Sequence, residues 1–381
     1  MKLNNFYIYA ENFYNFDIER LDLKYLSKYF NVKILYLNKT FKIKKKNKIK
    51  YFNFINKRNV IDFLKKNLSK ESFILLANSN DFNFLYNLVK QCQKLKIKTI
   101  DISKTNLIPD HKLDLQLEYR YKIIQKIKFF YSSFFKFFLD LELNKKFYHK
   151  YINHVDYILF SGTFAEKVVL NQKAKKISTF SRDYQIFKNL KKKNNINTES
   201  LGYAAFIDDG VGFHIDEKIL KLNLNKIDTS LYYKQLSFFL SKLNKITRVI
   251  ICPHPKRYYE TDIFKKHFCS KKKTIEVIQN SDFVIGTHST ALGLAVLLKK
   301  PILLITSKNY PIIYSKMAIK KWKKTLGLRL IDISKKYEIY NFNNLKINKR
   351  LYTKYKFEYH CKYEPLHKSI WDPFLKEIKI I

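Results

Sequence analysis

Two acidic residues and a glycine follow a short apolar run in the middle of the chain. Asp208, Asp209 and Gly210 come directly after the strand-like run at 203–207. In open α/β sheets, ligands bind beyond the carboxyl ends of strands, and a glycine there permits a tight turn. Two adjacent carboxylates can differ in proton affinity, which suits a general base. The alternative is a strand-end turn in which both side chains accept hydrogen bonds from nearby backbone amides.

A histidine between two prolines is the second candidate for chemistry. His254 lies between Pro253 and Pro255, directly after the apolar run 247–252, and Lys256 follows. Because prolines fix backbone angles, the imidazole is held at the end of the strand. There it could bind phosphate or protonate a leaving group, and Lys256 could add positive charge. An ordinary loop histidine is the alternative.

The third candidate is a hydroxyl pair at the start of a predicted helix. A strand-like run ends in Gly286, and Ser289 and Thr290 then lead into the helix predicted over 290–299. Free N–H groups and the positive end of the helix dipole bind phosphate at such a position. Either hydroxyl could also be the N-cap of the helix, and this role is compatible with phosphate binding.

These three sites need sheets that position them, and the sequence predicts parallel ones. Short apolar runs alternate with longer helix-like stretches, as expected for βαβ units. The early runs lie at 5–9, 32–37, 72–77 and 97–102. A second α/β block follows the polar stretch 221–232. We therefore expect an α/β protein with two Rossmann-like domains, over residues 1–220 and 221–381.

An aromatic and basic segment at 119–152 interrupts this alternation. One interpretation is an interfacial helix whose aromatic face enters lipid while lysines contact headgroups. The alternative is a helix or hairpin that covers the sheet. The lysine-rich stretch 312–324, which contains Trp322, is a second candidate for contact with lipid.

The composition sets limits on the partners. The chain of 381 residues has 74 Lys and Arg against 32 Asp and Glu, a formal net charge of +42. Such a surface attracts anionic membranes, nucleic acids and anionic donors, although an AT-rich genome would give the same bias. The basic residues are spread along the chain and form no known nucleic-acid-binding motif. We therefore do not expect nucleic acid as a partner.

The spacing of the cysteines and the hydropathy of the chain bear on metal binding, disulfide formation and cellular location. None of the four cysteines has metal-ligand spacing or suggests a disulfide framework. We expect neither a metal nor a cofactor. The sequence has neither a signal-peptide pattern nor a run of ~20 apolar residues. The expectation is a cytoplasmic protein, with peripheral contact to the inner face of the membrane as an open possibility.

Three motifs of one enzyme family occur in order along the chain, at Asp208-Asp209-Gly210, His254-Pro255 and Ser289-Thr290. They resemble the motifs of the bacterial sialyltransferases and polysialyltransferases, and the resemblance covers about 203–306. It implies the GT-B fold, with two Rossmann-like domains facing a central cleft. It also implies inverting, metal-independent transfer of a sialic-acid-type sugar from a CMP-activated donor. The implied acceptor is a surface glycan, such as lipooligosaccharide or capsule.

The resemblance also assigns roles to residues. Asp209 would deprotonate the acceptor hydroxyl, with Asp208 and Gly210 beside it on the acceptor side. His254 would assist departure of the CMP phosphate, and Ser289 and Thr290 would hold that phosphate.

Several further residues complete the predicted site. Pro255, Lys256 and Gly286 are placed on the donor side, and Glu276 could reach a ribose hydroxyl there. Ser161 could line the acceptor side. Tyr310 could cover the base, and the role of His288 stays open. A structural role is the alternative for each lesser candidate, and CMP-Kdo, a UDP-sugar or a CDP-linked compound is the alternative donor.

Overall fold

The computed structural model describes residues 4–37, 49–67, 71–77, 79, 81–105, 107, 109, 146–192, 201–211, 213, 229–254, 263–264, 267–310, 313–337 and 345–381. The chain divides into two compact units. Unit 1 consists of the described residues up to Leu107, those from 146 to Gln185, and Phe357–Ile381. Unit 2 is built from Ile186–Lys356.

Unit 1 contains a seven-stranded parallel sheet with the order β3-β2-β1-β4-β5-β6-β7. Its central strands are apolar and fully buried, as expected where helices cover both faces of a parallel sheet. The strands are β1 Asn5–Ala10, β2 Asn31–Tyr36, β3 Lys50–Asn53, β4 Phe73–Leu76, β5 Lys98–Lys104, β6 Tyr157–Ser161 and β7 Lys175–Thr179.

Helices connect these strands, and α4 shows why they form. Its buried residues Leu85, Leu88, Val89 and Cys92 recur at helical spacing, and the Asp81 side chain caps its N-terminus. Residues 146–152 are also helical. The helices are α1 Asn15–Arg20, α2 Leu23–Leu26, α3 Lys57–Lys66, α4 Phe82–Lys94, α5 Gly162–Val169 and α6 Arg182–Lys192.

Unit 2 contains a six-stranded sheet with the order β10-β9-β8-β11-β12-β13, again with parallel pairs. From the central β8 the chain moves outward to β9 and β10, and then returns to β11 on the other side of β8. The strands are β8 Tyr203–Ile207, β9 Arg248–Cys252, β10 Phe268–Cys269, β11 Phe283–Gly286, β12 Ile302–Thr306 and β13 Arg329–Asp332. The crevice beyond β8 and β11 is therefore a topological switch point, where ligands bind in such sheets.

The later helices complete unit 2 and lead back to unit 1. They are α7 Thr229–Leu243, α8 Thr274–Gln279, α9 Leu292–Leu297, α10 Ile313–Leu326, α11 Lys349–Tyr355 and α12 Asp372–Glu377. A π-helical segment, Lys356–His360, directly follows α11. The helix α12 belongs to unit 1, where Trp371 is fully buried with its ring centroid 5.4 Å from that of Phe6. The Trp371 indole also donates to the Leu21 carbonyl.

The division of the chain differs from the predicted domains 1–220 and 221–381. The run 203–207 was expected in the first block, yet as β8 it pairs with β9 and β11 in unit 2. Residues 357–381 were expected in the second domain and pack in unit 1. An apolar run predicts a strand but does not say which sheet it joins.

The two predicted lipid contacts have different outcomes. Most of the segment 119–152 lies outside the described residues, so its contact with lipid stays a prediction. Trp322 is fully buried, and its ring centroid is 5.1 Å from that of Tyr355. The Trp322 indole is therefore part of the core of unit 2, and contact of the rest of the stretch 312–324 with lipid stays a prediction. Among the described residues, no helix combines the length and apolarity needed to cross a membrane.

Candidate active site

Asp208 and Asp209 lie at the switch point of unit 2, directly beyond β8. The Asp208 amide donates to the Cys252 carbonyl at 3.1 Å, which extends the pairing with β9. Gly210 has a φ of +64°, a left-handed conformation that favours glycine, so the chain turns sharply there. The predicted tight turn is confirmed. It leaves the Asp209 side chain only 7% exposed.

Asp209 contacts His288, which follows the neighbouring strand β11. The carboxylate oxygen Oδ2 accepts from the His288 backbone amide at 3.3 Å and lies 3.2 Å from Nδ1 of the imidazole. The His288 side chain is 25% exposed. The two strands that flank the switch point therefore supply a carboxylate and an imidazole in direct contact.

Tyr310, which follows β12, joins this pair. Its hydroxyl lies 2.6 Å from Nδ1 of His288 and 3.4 Å from Oδ2 of Asp209. The Thr287 hydroxyl lies 3.0 Å from the same phenol oxygen. Tyr310 is buried against the ring of Tyr232, so it forms the inner wall of the cluster and is poorly placed to cover a nucleotide base.

Electrostatics assigns different protonation states to these groups. Burial alone raises the pKa of Asp209. The charge of His288, the hydrogen bonds from its ring and backbone, and the charge of His254 together outweigh burial and leave the pKa below its usual value. Burial and the charge of Asp209 raise the pKa of Tyr310 well above its usual value. Near neutral pH, Asp209 is therefore ionised and Tyr310 is a neutral phenol.

An ionised carboxylate with a lowered pKa is a weak base but a good partner for an imidazolium. Asp209 and Tyr310 both contact His288 through Nδ1, so proton exchange with a ligand falls to Nε2. The same division holds in Ser-His-Asp triads, where the carboxylate orients the imidazole and the imidazole carries the proton. The geometry thus favours His288 as the proton carrier and Asp209 as the residue that orients it.

The positive charge of His254 contributes to the lowered pKa of Asp209. His254 lies half-buried after β9. Pro255 and Lys256 lie outside the described residues, so their donor contacts stay predictions.

The predicted hydroxyl pair has a different local structure from the one expected. The helix α9 begins at Leu292, and its N-cap is Ala291 without a side-chain cap. The Ser289 hydroxyl accepts from the Ala291 amide at 3.3 Å, and Thr290 is exposed. The predicted N-cap role of either hydroxyl is therefore wrong, because the turn residues Thr290 and Ala291 precede the helix. Phosphate binding by this turn stays a prediction.

Gly286, placed on the donor side by sequence, has a packing role. A Cβ atom there would lie 2.9 Å from Cδ2 of Leu292, so a larger residue would push α9 away from β11. Glu276 lies half-buried in the first turn of α8. That turn is at the carboxyl edge of the sheet, because α8 leads back to the start of β11. Contact between Glu276 and a ribose hydroxyl stays a prediction.

Ser161, predicted on the acceptor side, lies in unit 1 and is buried. Its hydroxyl donates to the Tyr359 carbonyl of the π-helical segment at 3.1 Å. A buried hydroxyl that is bonded in this way is not available to an acceptor. Instead, the Ser161 hydroxyl stabilises the π-helical segment through this hydrogen bond.

The sequence alone suggested no catalytic role for His288 or Thr287 and only a base-covering role for Tyr310. A signal was present, because His288 and Thr287 follow β11 and Tyr310 follows β12. Strand ends at a switch point are where side chains converge, but the order of the strands was needed to see it. Among the described residues, no group of His, Cys, Asp or Glu is arranged to hold a metal ion.

Comparison with known proteins identifies the fold. No protein-family model matches the chain, and no curated protein is similar to it in sequence. The structure of TcCGT1 in complex with UDP has a TM-score of 0.52 and 8% identity, over 93% of this chain and 90% of that one. A UDP-N-acetylglucosamine 2-epimerase has a TM-score of 0.51 and 12% identity, over 100% and 97%. S. aureus MnaA, solved with UDP, has a TM-score of 0.50 and 12% identity, over 100% and 98%.

Identities this low establish the fold alone. The chain has two Rossmann-like α/β domains with parallel sheets, which is the GT-B class of fold. The predicted fold class is confirmed.

Proposed function

We propose that this protein is a glycosyltransferase that takes a sugar from a nucleotide-activated donor. The observation that carries the proposal is the cluster of Asp209, His288 and Tyr310 at the switch point of unit 2. Ligands bind at such points, and the cluster supplies a polarised imidazole there. The three sequence motifs and the fold agree with this class of activity.

In the proposed mechanism, Nε2 of His288 accepts the proton of an acceptor hydroxyl. The acceptor oxygen forms a bond to the anomeric carbon, while the bond from that carbon to the phosphate oxygen breaks and the nucleotide leaves with the electron pair. Asp209 stabilises the imidazolium that results, as in other carboxylate–imidazole pairs. His254, which follows β9, has the proposed role of stabilising charge on the departing phosphate. In-line attack of this kind inverts the anomeric configuration.

Two kinds of nucleotide are candidates for the donor, CMP and UDP. The motif resemblance favours CMP-sialic acid. Two of the solved structures with the same fold hold UDP, and none of the three compared is a sialyltransferase by its name. We therefore favour another donor, a UDP-linked sugar, over CMP-sialic acid. The proposed acceptor is a hydroxyl of a glycan or glycolipid, such as lipooligosaccharide or capsule.

Thermal unfolding with added UDP, CMP or CDP tests the donor. A nucleotide that binds only the folded protein, at a hundred times its Kd, stabilises it by about 2.7 kcal/mol. We expect UDP to raise the Tm and CMP to raise it less. A larger shift with CMP would return the assignment to the sialyltransferase-like donor. If none of the three shifts the Tm, the proposed nucleotide site is wrong.

Donor turnover tests the roles of the residues. We expect His288→Gln to slow turnover roughly 100–10,000-fold, the usual contribution of a general base. Asp209→Asn should slow it as well, because the imidazole loses the carboxylate that orients it. The matched control is His267→Gln, since His267 contacts Ser237 and precedes the edge strand β10. Unchanged turnover in the His288 variant would contradict the mechanism.

A further inference from the structure

Two aromatic side chains are exposed on one part of the surface of unit 2. Phe238 on the outer side of α7 is 57% exposed, and Phe268 at the start of the edge strand β10 is 56% exposed. The Ser237 hydroxyl lies 3.0 Å from Nε2 of His267, so the residues directly before the two phenylalanines are in contact. Single exposed apolar residues are common on proteins, but neighbouring exposed rings form a patch, and such patches mark interaction surfaces.

A cation lies over each of these rings. Nζ of Lys242 is 4.5 Å from the ring centroid of Phe238, and Cζ of Arg248 is 5.3 Å from that of Phe268. Both basic residues are exposed. The same arrangement therefore occurs twice, and in each case an aromatic ring lies beside a basic side chain whose long stem is itself apolar.

The surroundings of the two pairs are basic. The helix α7 contains no acidic residue, and its outer side also carries the exposed Lys234. Lys245 follows the helix and is exposed as well. Among the described residues from 229 to 273 there is neither Asp nor Glu. The basic aromatic surface, as we call it, consists of Lys234, Phe238, Lys242, Lys245, Arg248 and Phe268.

Charge complementarity selects an anionic partner, and the two rings discriminate among anionic partners. A protein partner would bury the cations together with the rings, whereas the cores of protein interfaces are depleted in lysine. A nucleic acid base stacks on an open aromatic face, but here Lys242 and Arg248 lie over the rings. An anionic lipid surface accommodates both groups, because aromatic rings enter the boundary between headgroups and acyl chains while long basic side chains reach the phosphates.

We propose that the basic aromatic surface of unit 2 docks on a membrane that contains anionic lipids. Phe238 and Phe268 enter the headgroup region, and the basic residues of the surface contact lipid phosphates. The surface does not include 119–152 or 312–324, the two stretches that the sequence marked for contact with lipid. The docking needs neither donor nor acceptor, so it is independent of the proposed function.

Sedimentation of the full-length protein with vesicles tests the role of the rings. The vesicles contain either equal parts of phosphatidylglycerol and phosphatidylcholine, or phosphatidylcholine alone, and we expect binding to the first kind only. Phe238→Ser and Phe268→Ser should each weaken binding roughly 4–13-fold, because a half-exposed ring gains about half of the transfer free energy of a fully buried one. The control is Ile55→Ser in unit 1, where Ile55 is 74% exposed, and it should leave binding unchanged.

Charge variants separate this surface from the net charge of the chain. Lys242→Gln should weaken binding to the anionic vesicles about fivefold, the usual contribution of one basic residue near such a surface. Lys65→Gln lowers the net charge by the same amount, but Lys65 lies in unit 1, 4.0 Å from Asp62, so binding should stay unchanged. Equal losses in the two variants would mean that the chain is attracted as a whole and would overturn the proposal.

Two further results would also overturn it, namely no binding of the wild type to anionic vesicles, or phenylalanine variants that bind as tightly as the wild type. A short single-stranded RNA is the last probe. If Phe238→Ser weakens binding to this RNA but not to vesicles, the surface takes nucleic acid instead. The substituted side chains are exposed, so an unchanged Tm should show that each variant folds. No nucleotide is present in these assays, and their failure would leave the proposed function untouched.

Discussion

Replacing Gly162 with alanine should destabilise unit 1 through a contact that the structure defines. Gly162 has a φ of +71°, and a Cβ atom there would lie 2.2 Å from the Glu358 carbonyl oxygen, 2.5 Å from its carbon and 2.8 Å from the Tyr359 nitrogen. All three atoms belong to the backbone of the π-helical segment. A flexible side chain could turn away, but these atoms can move only with the segment itself.

The expected cost has two parts. An alanine in the left-handed region is strained by about 1–2 kcal/mol. Overpacking against fixed neighbours adds about 1–3 kcal/mol, so Gly162→Ala should cost ~2–5 kcal/mol in total. Gly202 is the matched control, because its φ is +68° and nothing lies within 4 Å of its added Cβ. Gly202→Ala should therefore show the strain alone.

The chain offers a fluorescent reporter for each measurement. It has two tryptophans, with Trp371 in unit 1 and Trp322 in unit 2. In a Trp322→Phe background, Trp371 reports urea unfolding of unit 1 and therefore the effect of Gly162→Ala. In a Trp371→Phe background, Trp322 reports the effect of Gly202→Ala on unit 2. If Gly162→Ala costs no more than Gly202→Ala in free energy of unfolding, the inferred steric contact is wrong.

Three further predictions concern the candidate active site and the core of unit 2. Tyr310→Phe removes the hydroxyl bonded to His288 and should lower kcat/KM roughly 10–100-fold, which is the effect of losing a hydrogen bond to a charged group. A variant with the same kcat/KM and the same pH–rate profile as the wild type would contradict this role. Asp209 has a lowered folded-state pKa, so its contribution to stability is present above the ordinary value of 3.8 and is lost as the pH falls through the folded-state value. Urea unfolding at pH 7 and in acid should therefore show a smaller acid loss in Asp209→Asn than in the wild type, and equal losses would count against the ion pair. Trp322→Ala should cost about 3–5 kcal/mol in unfolding free energy, whereas Trp322→Phe should leave binding to anionic vesicles unchanged; weaker vesicle binding would revive contact of this residue with lipid.

The sequence predicted individual strands better than their grouping. The buried runs that became β1, β4 and β12 are apolar except for Asn5 and Thr306 at their ends, so hydropathy detects them. The strand β3 is half-exposed and carries Lys50, and it was missed. Grouping depends on pairings between distant segments, and the apolar pattern of β8 is the same whichever sheet it joins. Local sequence could not reveal that choice.

The candidate site shows the same limit. The Asp209 and His254 motifs were recognised because a glycine and two prolines mark special backbone at strand ends. His288 was passed over because a histidine beside hydroxyl residues has no backbone signature. Its importance comes from the 3.2 Å contact with a carboxylate 79 positions earlier. Ser161 shows the opposite case. It follows a strand and precedes a helix, as a ligand-binding residue would, but its hydroxyl donates to the Tyr359 carbonyl.

The return of Phe357–Ile381 to unit 1 has a consequence for biosynthesis. The face that Trp371 and Phe374 cover includes Phe6 and Phe73, which are translated near the start of the chain. The ribosome must first make residues 186–356, which are 356 − 185 = 171 residues, and at about 5–20 residues per second this takes roughly 10–35 s. During that interval the nascent unit 1 exposes an aromatic surface, a substrate for chaperones. Nascent chains arrested before Phe357 should therefore be more sensitive to protease in unit 1 than released chains.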